Sequence, residues 1–213
     1  MREDALLKVG LTGGIASGKS AVGEMFIKRG ARLIQSDAVA HELMEPGRPV
    51  YDEVVRRFGR EILDGEGRVN RSRLAEAAFG TPGGAPPRVD ELNAIVHPAV
   101  IAYENEWMEE LGRREPHVIA VVEAALILEA GAADRFDRLI VVTCHPEQRI
   151  ARFAHRMGIS EDAARVEVTR RMAAQMPDEE KIKAADIVID NSGSLEDTEK
   201  QAERAFAELR QHV

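Results

Sequence analysis

The sequence predicts an α/β protein with three layers: a five-stranded parallel sheet between helices. Three observations carry this. Five short apolar runs recur along the 213 residues, stretches of helical spacing separate them, and a glycine-rich turn joins the first run to the first helix. Strands separated by helices imply parallel pairing through right-handed crossovers, and near-continuous apolar strands imply a sheet covered on both faces.

The elements follow in order. LLKVGL (6–11) is a buried strand. From Lys19 the period changes, with Ala21, Val22, Met25 and Phe26 at helical spacing and Gly30 as the stop. Residues 31–35 form a second strand, followed by Asp37 and the helical run AVAHELM. Between Tyr51 and Arg114 no strong strand is expected. YDEVVRRF is helical and stops at Gly59, DGEG (64–67) is a tight turn, SRLAEAAF is helical, and TPGGAPP (81–87) is a loop. One helix is expected from about Val89 and a longer one after Pro98, which suits the first helical position. HVIAVVEAA (117–125) and RLIVVTC (138–144) are the third and fourth strands. Helices follow from Pro146 to about Met157 and from about Glu161 to Met176. ADIVID (185–190) is the fifth strand, and Leu195 to Leu209 closes the chain as an amphipathic helix.

Composition bounds the function. The chain is 44% hydrophobic and 31% charged with net charge −8, a globular chain whose acidity argues against a nucleic-acid partner. Its one cysteine, Cys144, excludes an intramolecular disulfide and reads as a small buried residue rather than a nucleophile. The first residues, MREDALLKVGL, hold acids and no long apolar stretch, so neither a signal peptide nor a membrane span is expected and the cytoplasm is the expected compartment.

GGIASGKS, residues 13–20, fits the phosphate-binding loop pattern G-x-x-x-x-G-K-[ST]. Its glycines let successive backbone N–H groups turn inward, where they and the positive end of the next helix hold phosphate oxygens. Lys19 then reaches the β- and γ-phosphates and the Ser20 hydroxyl ligates Mg²⁺. The expected nucleotide contacts are Gly14, Ile15, Ala16, Ser17, Gly18, Lys19, Ser20 and Ala21, in a P-loop NTPase fold that binds ATP or GTP. A GTPase would need Asn-Lys-x-Asp, which does not occur.

Small kinases insert a helical acceptor domain after the second strand and an arginine-rich lid before the last. Residues 45–117 are the insertion and 149–176 the lid; 1–44, 118–148 and 177–213 form the nucleotide-binding core. Arg149, Arg152 and Arg156 share one face at helical spacing, and Arg165, Arg170 and Arg171 follow. They neutralise phosphates or pair with Glu161, Asp162 and Glu167 on a solvated face; the cluster favours phosphates. Asp37, just past the second strand, either accepts a proton from an acceptor hydroxyl or caps the next helix.

These residues resemble the dephospho-coenzyme A kinase family from about Val9 to Gly193. LTGGIASGKS, Ser36-Asp37, Phe58-Gly59, Asn70-Arg71 with Leu74 and Phe79, LNAIVHP (92–98), Arg152, Arg156, RMAAQ (171–175), Lys181 and ADIVIDNSGS (185–194) carry the likeness. It implies phosphorylation of the ribose 3′-hydroxyl of dephospho-CoA by ATP with Mg²⁺. It implies Asp37 as base, Arg152 as lid contact to phosphates, and Asn191 and Gly193 where the chain passes the adenine. Thr12, Asp37, Arg71, His97 and Arg156 are the implied acceptor contacts; His97 serves equally as a structural histidine at a helix junction. The expected partners are these two small molecules, with no nucleic acid and no membrane, for a monomer or weak homo-oligomer. Four positions depart from the family pattern: Gln35 for its first motif Asp, His41 for an Arg, Ala125 for a Pro and Arg149 for a Gln. Another small-molecule kinase, or a protein that ATP merely switches, is the rival reading.

Overall fold

The computed structural model describes residues 6–80 and 86–213, so most of the loop expected at 81–87 lies outside the described residues. Five strands, β1 (Leu7–Thr12), β2 (Arg32–Gln35), β3 (Ile119–Glu123), β4 (Arg138–Thr143) and β5 (Ile187–Asp190), pair in parallel in the order β2-β3-β1-β4-β5. Each coincides with an apolar run read from the sequence. Every residue of β3 is buried, which only a sheet covered on both faces allows.

The helices are α1 (Lys19–Lys28), α2 (Ser36–Leu43), α3 (Pro49–Phe58), α4 (Arg71–Phe79), α5 (Val89–Arg114), α6 (Pro146–Met157), α7 (Glu161–Ala173), α8 (Asp178–Ala184) and α9 (Leu195–Leu209). Among the described residues none is long and apolar enough to cross a membrane. The chain divides into two compact units. One holds the sheet, with residues up to Gln35 and from Met108 on; the other is Ser36–Trp107.

In the first unit, Val22, Phe26, Ala202, Ala205, Phe206 and Leu209 of α1 and α9 pack on Val9, Leu11, Val121, Ile140, Val142 and Ile189. Leu139, Val141 and Val122 alternate with these residues along the strands and are also buried, so the opposite face is covered too. The strand order reverses beside β1, and parallel sheets offer their ligand crevice at the carboxyl end of such a point.

Two elements differ from expectation. Pro98 does not open a helix; it lies inside α5, which runs unbroken for 26 residues. A proline interior to a helix strips the carbonyl four residues back of its partner. Here that residue is Ala94, exposed like Pro98 itself, so solvent can satisfy the carbonyl, while Val96 and Val100 keep the helix buried on its other side. The short α8 is the second difference. Its three acids in the first turn and two lysines in the last complement the helix dipole.

Phe26 is fully buried, with its ring centroid 5.9 Å from that of Phe206. Phe26→Ala should cost about 3–5 kcal/mol in urea unfolding, whereas Ile27→Ala next to it, on the exposed side of α1, should cost less than about 1 kcal/mol.

Candidate functional site

Beyond Thr12 the chain reverses through three positive-φ residues, Gly13 (151°), Ala16 (53°) and Gly18 (100°), and enters α1 at Lys19. Two of these glycines are also required by space. A methyl on Gly13 would sit 2.2 Å from the Val142 carbonyl oxygen, and one on Gly18 would sit 1.9 Å from Asn191 Nδ2. The Ser17 N–H donates to the Gly14 carbonyl at 3.3 Å, closing the turn, and Val22 N–H to Gly18 at 3.2 Å, opening the helix. The first N–H groups of α1 lack carbonyl partners within the helix and face the loop, a built anion site. Lys19 Nζ folds back on the loop, 2.9 Å from the Gly13 oxygen and 3.2 Å from that of Gly14. The Ser17 Oγ is buried with no hydrogen-bond partner among the described residues.

The loop is gripped through the Ser17 carbonyl. Arg152 Nη1 donates to it at 3.2 Å and Asn191 Nδ2 at 2.8 Å. Arg152 Nη2 also donates to the Asn191 carbonyl at 2.9 Å, and the Thr198 hydroxyl donates to Asn191 Oδ1 at 2.9 Å. Asn191 is therefore committed to the loop and to α9, while Gly193 two residues on is exposed.

The six arginines read from the sequence separate by role. Arg165 pairs with Glu147, and Arg170 and Arg171 with Glu167, on exposed surface. The hydrogen bond from Arg170, then that from Arg171, holds the Glu167 carboxyl down at about 2. Arg156 lies over the Phe153 ring at 5.4 Å, Arg152 grips the loop, and Arg149 is buried against Asp178.

Glu123, the last residue of β3, was not singled out by sequence reasoning. Ser20 Oγ donates to its Oε1 at 2.7 Å and Gln35 Nε2 to its Oε2 at 3.0 Å. Register makes this pairing, since Gln35 and Glu123 are direct partners across β2 and β3. The departure at Gln35 thus has a physical reason: a carboxamide donates to Glu123, where an Asp would set two carboxylates together. The available signal was an acid ending an apolar strand, before the loop of residues 124–129. Ser20 and Glu123 present hard oxygen donors, which fit Mg²⁺, an ion that draws its remaining ligands from water and phosphate. Among the described residues no group of three or more His, Cys, Asp or Glu side chains makes a metal cage of its own.

Thr12 is fully buried, and its hydroxyl donates to the Ala125 carbonyl at 3.3 Å. With Ala124 N–H donating to Leu11 at 3.1 Å, this fixes the path after β3 without a proline. Cys144 is buried, which pushes its thiol pKa up, and its sulfur lies 3.8 Å from the Ala16 carbonyl oxygen.

In the second unit, Asp37 lies exposed in the first turn of α2, and its carboxylate makes no hydrogen bond among the described residues. Ser36 beside it donates to the buried Glu104 at 2.5 Å. His41 and Arg71 line a cavity of about 210 Å³ with Met44, Glu45, Leu74 and Phe79. Burial first, and then the Arg71 charge, lower the His41 pKa, against Asp37 and Glu45. His97, half-buried in α5, is not part of that wall.

Residues 7–197 match the family model for dephospho-CoA kinase. The dephospho-CoA kinase of Corynebacterium glutamicum is 37% identical over 208 residues, covering 98% of this chain and 100% of its own. That of Aquifex aeolicus is 38% identical over 202 residues, covering 95% and 97%. A crystal structure from Thermus thermophilus, 36% identical, covers 96% of this chain and 98% of its own with a TM-score of 0.74.

Gly18→Ala should weaken binding of a fluorescent ribose-labelled ATP analogue by at least about a hundredfold, because the methyl meets Asn191 in a backbone conformation that L residues avoid. Titration of wild type and variant side by side checks this.

Proposed function

The chain belongs to the dephospho-CoA kinase family, and from that premise we propose that it transfers the terminal phosphoryl group of ATP to the ribose 3′-hydroxyl of dephospho-CoA. The products are CoA and ADP, and the reaction is the last step of CoA biosynthesis. The observation that carries this reading is the glycine-turned loop at the carboxyl end of β1, with Lys19 and the start of α1 beside it.

Phosphoryl transfer asks the protein mainly for position and for charge to meet the negative oxygens. Between Gly14 and Ala21, the amides other than those of Ile15 and Ser17, which donate to Gln175 and Gly14, hold the β- and γ-phosphates. Lys19 leaves the Gly13 and Gly14 carbonyls to reach them. Arg152 adds a second cation at the Ser17 end of the loop, with Asn191 and Gly193 beside the base. Ser20 and Glu123 would hold Mg²⁺, which would supply positive charge to offset that of the transferred phosphoryl group.

Asp37 orients the 3′-hydroxyl and accepts its proton; exposure and a carboxylate without a hydrogen bond support this over helix capping. Arg71 and Arg156 meet the acceptor's phosphates, His97 is a further acceptor contact, and Thr12 acts through the loop it anchors. Residues 45–117 receive the acceptor and 149–176 form the lid over the 1–44, 118–148 and 177–213 core. The protein works in the cytoplasm as a monomer or weak homo-oligomer.

With ATP, Mg²⁺ and dephospho-CoA, phosphorus NMR should show a new 3′-phosphomonoester; product no greater than that of Lys19→Ala sinks the proposal. Asp37→Asn should lower kcat by roughly a hundredfold or more while ATP-analogue binding persists. A kcat near wild type removes Asp37 from the role.

The His41 pKa lies below its ordinary 6.5, so the folded state resists protonation, and His41's contribution to stability is complete above that value and lost as pH falls below it. KM for dephospho-CoA should therefore be flat at neutral pH and change only below about pH 6.5, while His41→Asn stays flat throughout.

A further inference from the structure

Among the described residues Arg149 is the largest of the fully buried side chains, 1% exposed, and it takes no part in the mechanism above. Its Nε donates to the Cys144 carbonyl at 3.3 Å and its Nη2 to the Asp178 carboxylate at the start of α8. Its Nη1 lies against the phosphate loop: a methyl built on Gly14 would sit 2.0 Å from it and 3.4 Å from Asp178 Oδ1. Gly14 is not among the positive-φ residues, so its backbone does not demand glycine. What demands glycine there is the guanidinium behind it.

A second contact joins the same segments. Ile15 N–H donates to Gln175 Oε1 at 3.3 Å. The stretch between α7 and α8 thus touches the loop at Ile15, next to Gly14, behind which Arg149 and Asp178 sit. It is itself anchored in α8, where Lys181, fully buried, forms an ion pair with Glu129 at 2.7 Å. Glu129 also accepts the Met176 N–H at 3.0 Å.

Burying an ion pair is a poor device for stability, because desolvation of both charges offsets their attraction. Its strength is direction: a planar fork held by two hydrogen bonds and packed against Gly14 tolerates little displacement of what it touches. We propose that Arg149 and Asp178 are positioning residues for the transfer reaction, bracing Gly14 and Ile15 from behind so that the loop amides are aimed at the ATP phosphates before ATP arrives. The brace also ties the loop to α8, so α8 and the phosphate cradle move as one body. This rests on the ATP-dependent transfer proposed above.

The test compares Arg149→Gln, Asp178→Asn and the double variant in full-length protein. Three quantities are read: Kd for the ribose-labelled ATP analogue, kcat/KM for each substrate, and the urea midpoint. Asp178→Asn leaves a buried guanidinium without its anion, so kcat/KM for ATP should fall about tenfold or more, with KM for dephospho-CoA within about twofold of wild type. Adding Arg149→Gln should restore part of the loss, since the orphaned charge is gone. A further cycle isolates the contact with the loop: Gly14→Ala should harm ATP binding far less beside Arg149→Gln than alone. Single variants whose ATP parameters stay within about twofold of wild type overturn the proposal. So do variants that lose both substrates' parameters equally in step with the urea midpoint, since that is a merely structural role. A wild type that binds the ATP analogue and forms no CoA contradicts the reaction instead, and Kd alone still reads the brace.

Discussion

The carbonyl oxygen of Ser17 is the point on which the nucleotide cradle depends. A loop that curls its N–H groups inward turns carbonyls outward, and a carbonyl buried without a donor is costly. Two donors converge on this one: Arg152 from α6 and Asn191 from the end of β5. Asn191 passes the constraint on to α9 through Thr198, and α9 packs against α1, which the loop opens. Loop, first helix and last helix are thereby linked in a closed chain of contacts on one face of the sheet. Gly18 is the complement of this grip, for only a residue without Cβ leaves room for Asn191.

The same end of the sheet gathers charges that a core ordinarily excludes. Glu123, Arg149 and Lys181 are all buried, and each has an opposite charge or directed donors. Lys181 Nζ meets Glu129 as a contact ion pair off the hydrogen-bond line. A site that must receive several phosphate charges gains from dipoles and cations fixed in advance, because they need no reorganisation when charge develops. The apolar cluster of α1, α9 and the strands supplies the rigid floor on which these groups are held.

Much of this was legible in the sequence, for reasons that differ by element. The strands announced themselves because a sheet covered on both faces needs unbroken apolar runs. The loop was legible because its glycines meet stereochemical demands at Gly13 and Gly18. Pro98 misled, because a proline predicts a boundary only when its orphaned carbonyl is buried. The seven-residue α8 shows no period long enough to read, and its anchors, Asp178 and Lys181, find partners 29 and 52 residues away in sequence. Arg149 belonged by spacing with Arg152 and Arg156, but periodicity cannot tell a charge facing a phosphate from one facing Asp178. Glu123 needed the register of β2 on β3, which no local pattern encodes.

The cradle is shaped before the nucleotide arrives. Hydrogen exchange at the Ile15 and Ser17 amides of the unliganded protein tests this most directly, since these donate to Gln175 and Gly14 within the fold. Protection of both amides without nucleotide is the predicted result. Exchange at the rate of an unstructured peptide, with protection appearing only when ATP is added, would contradict it.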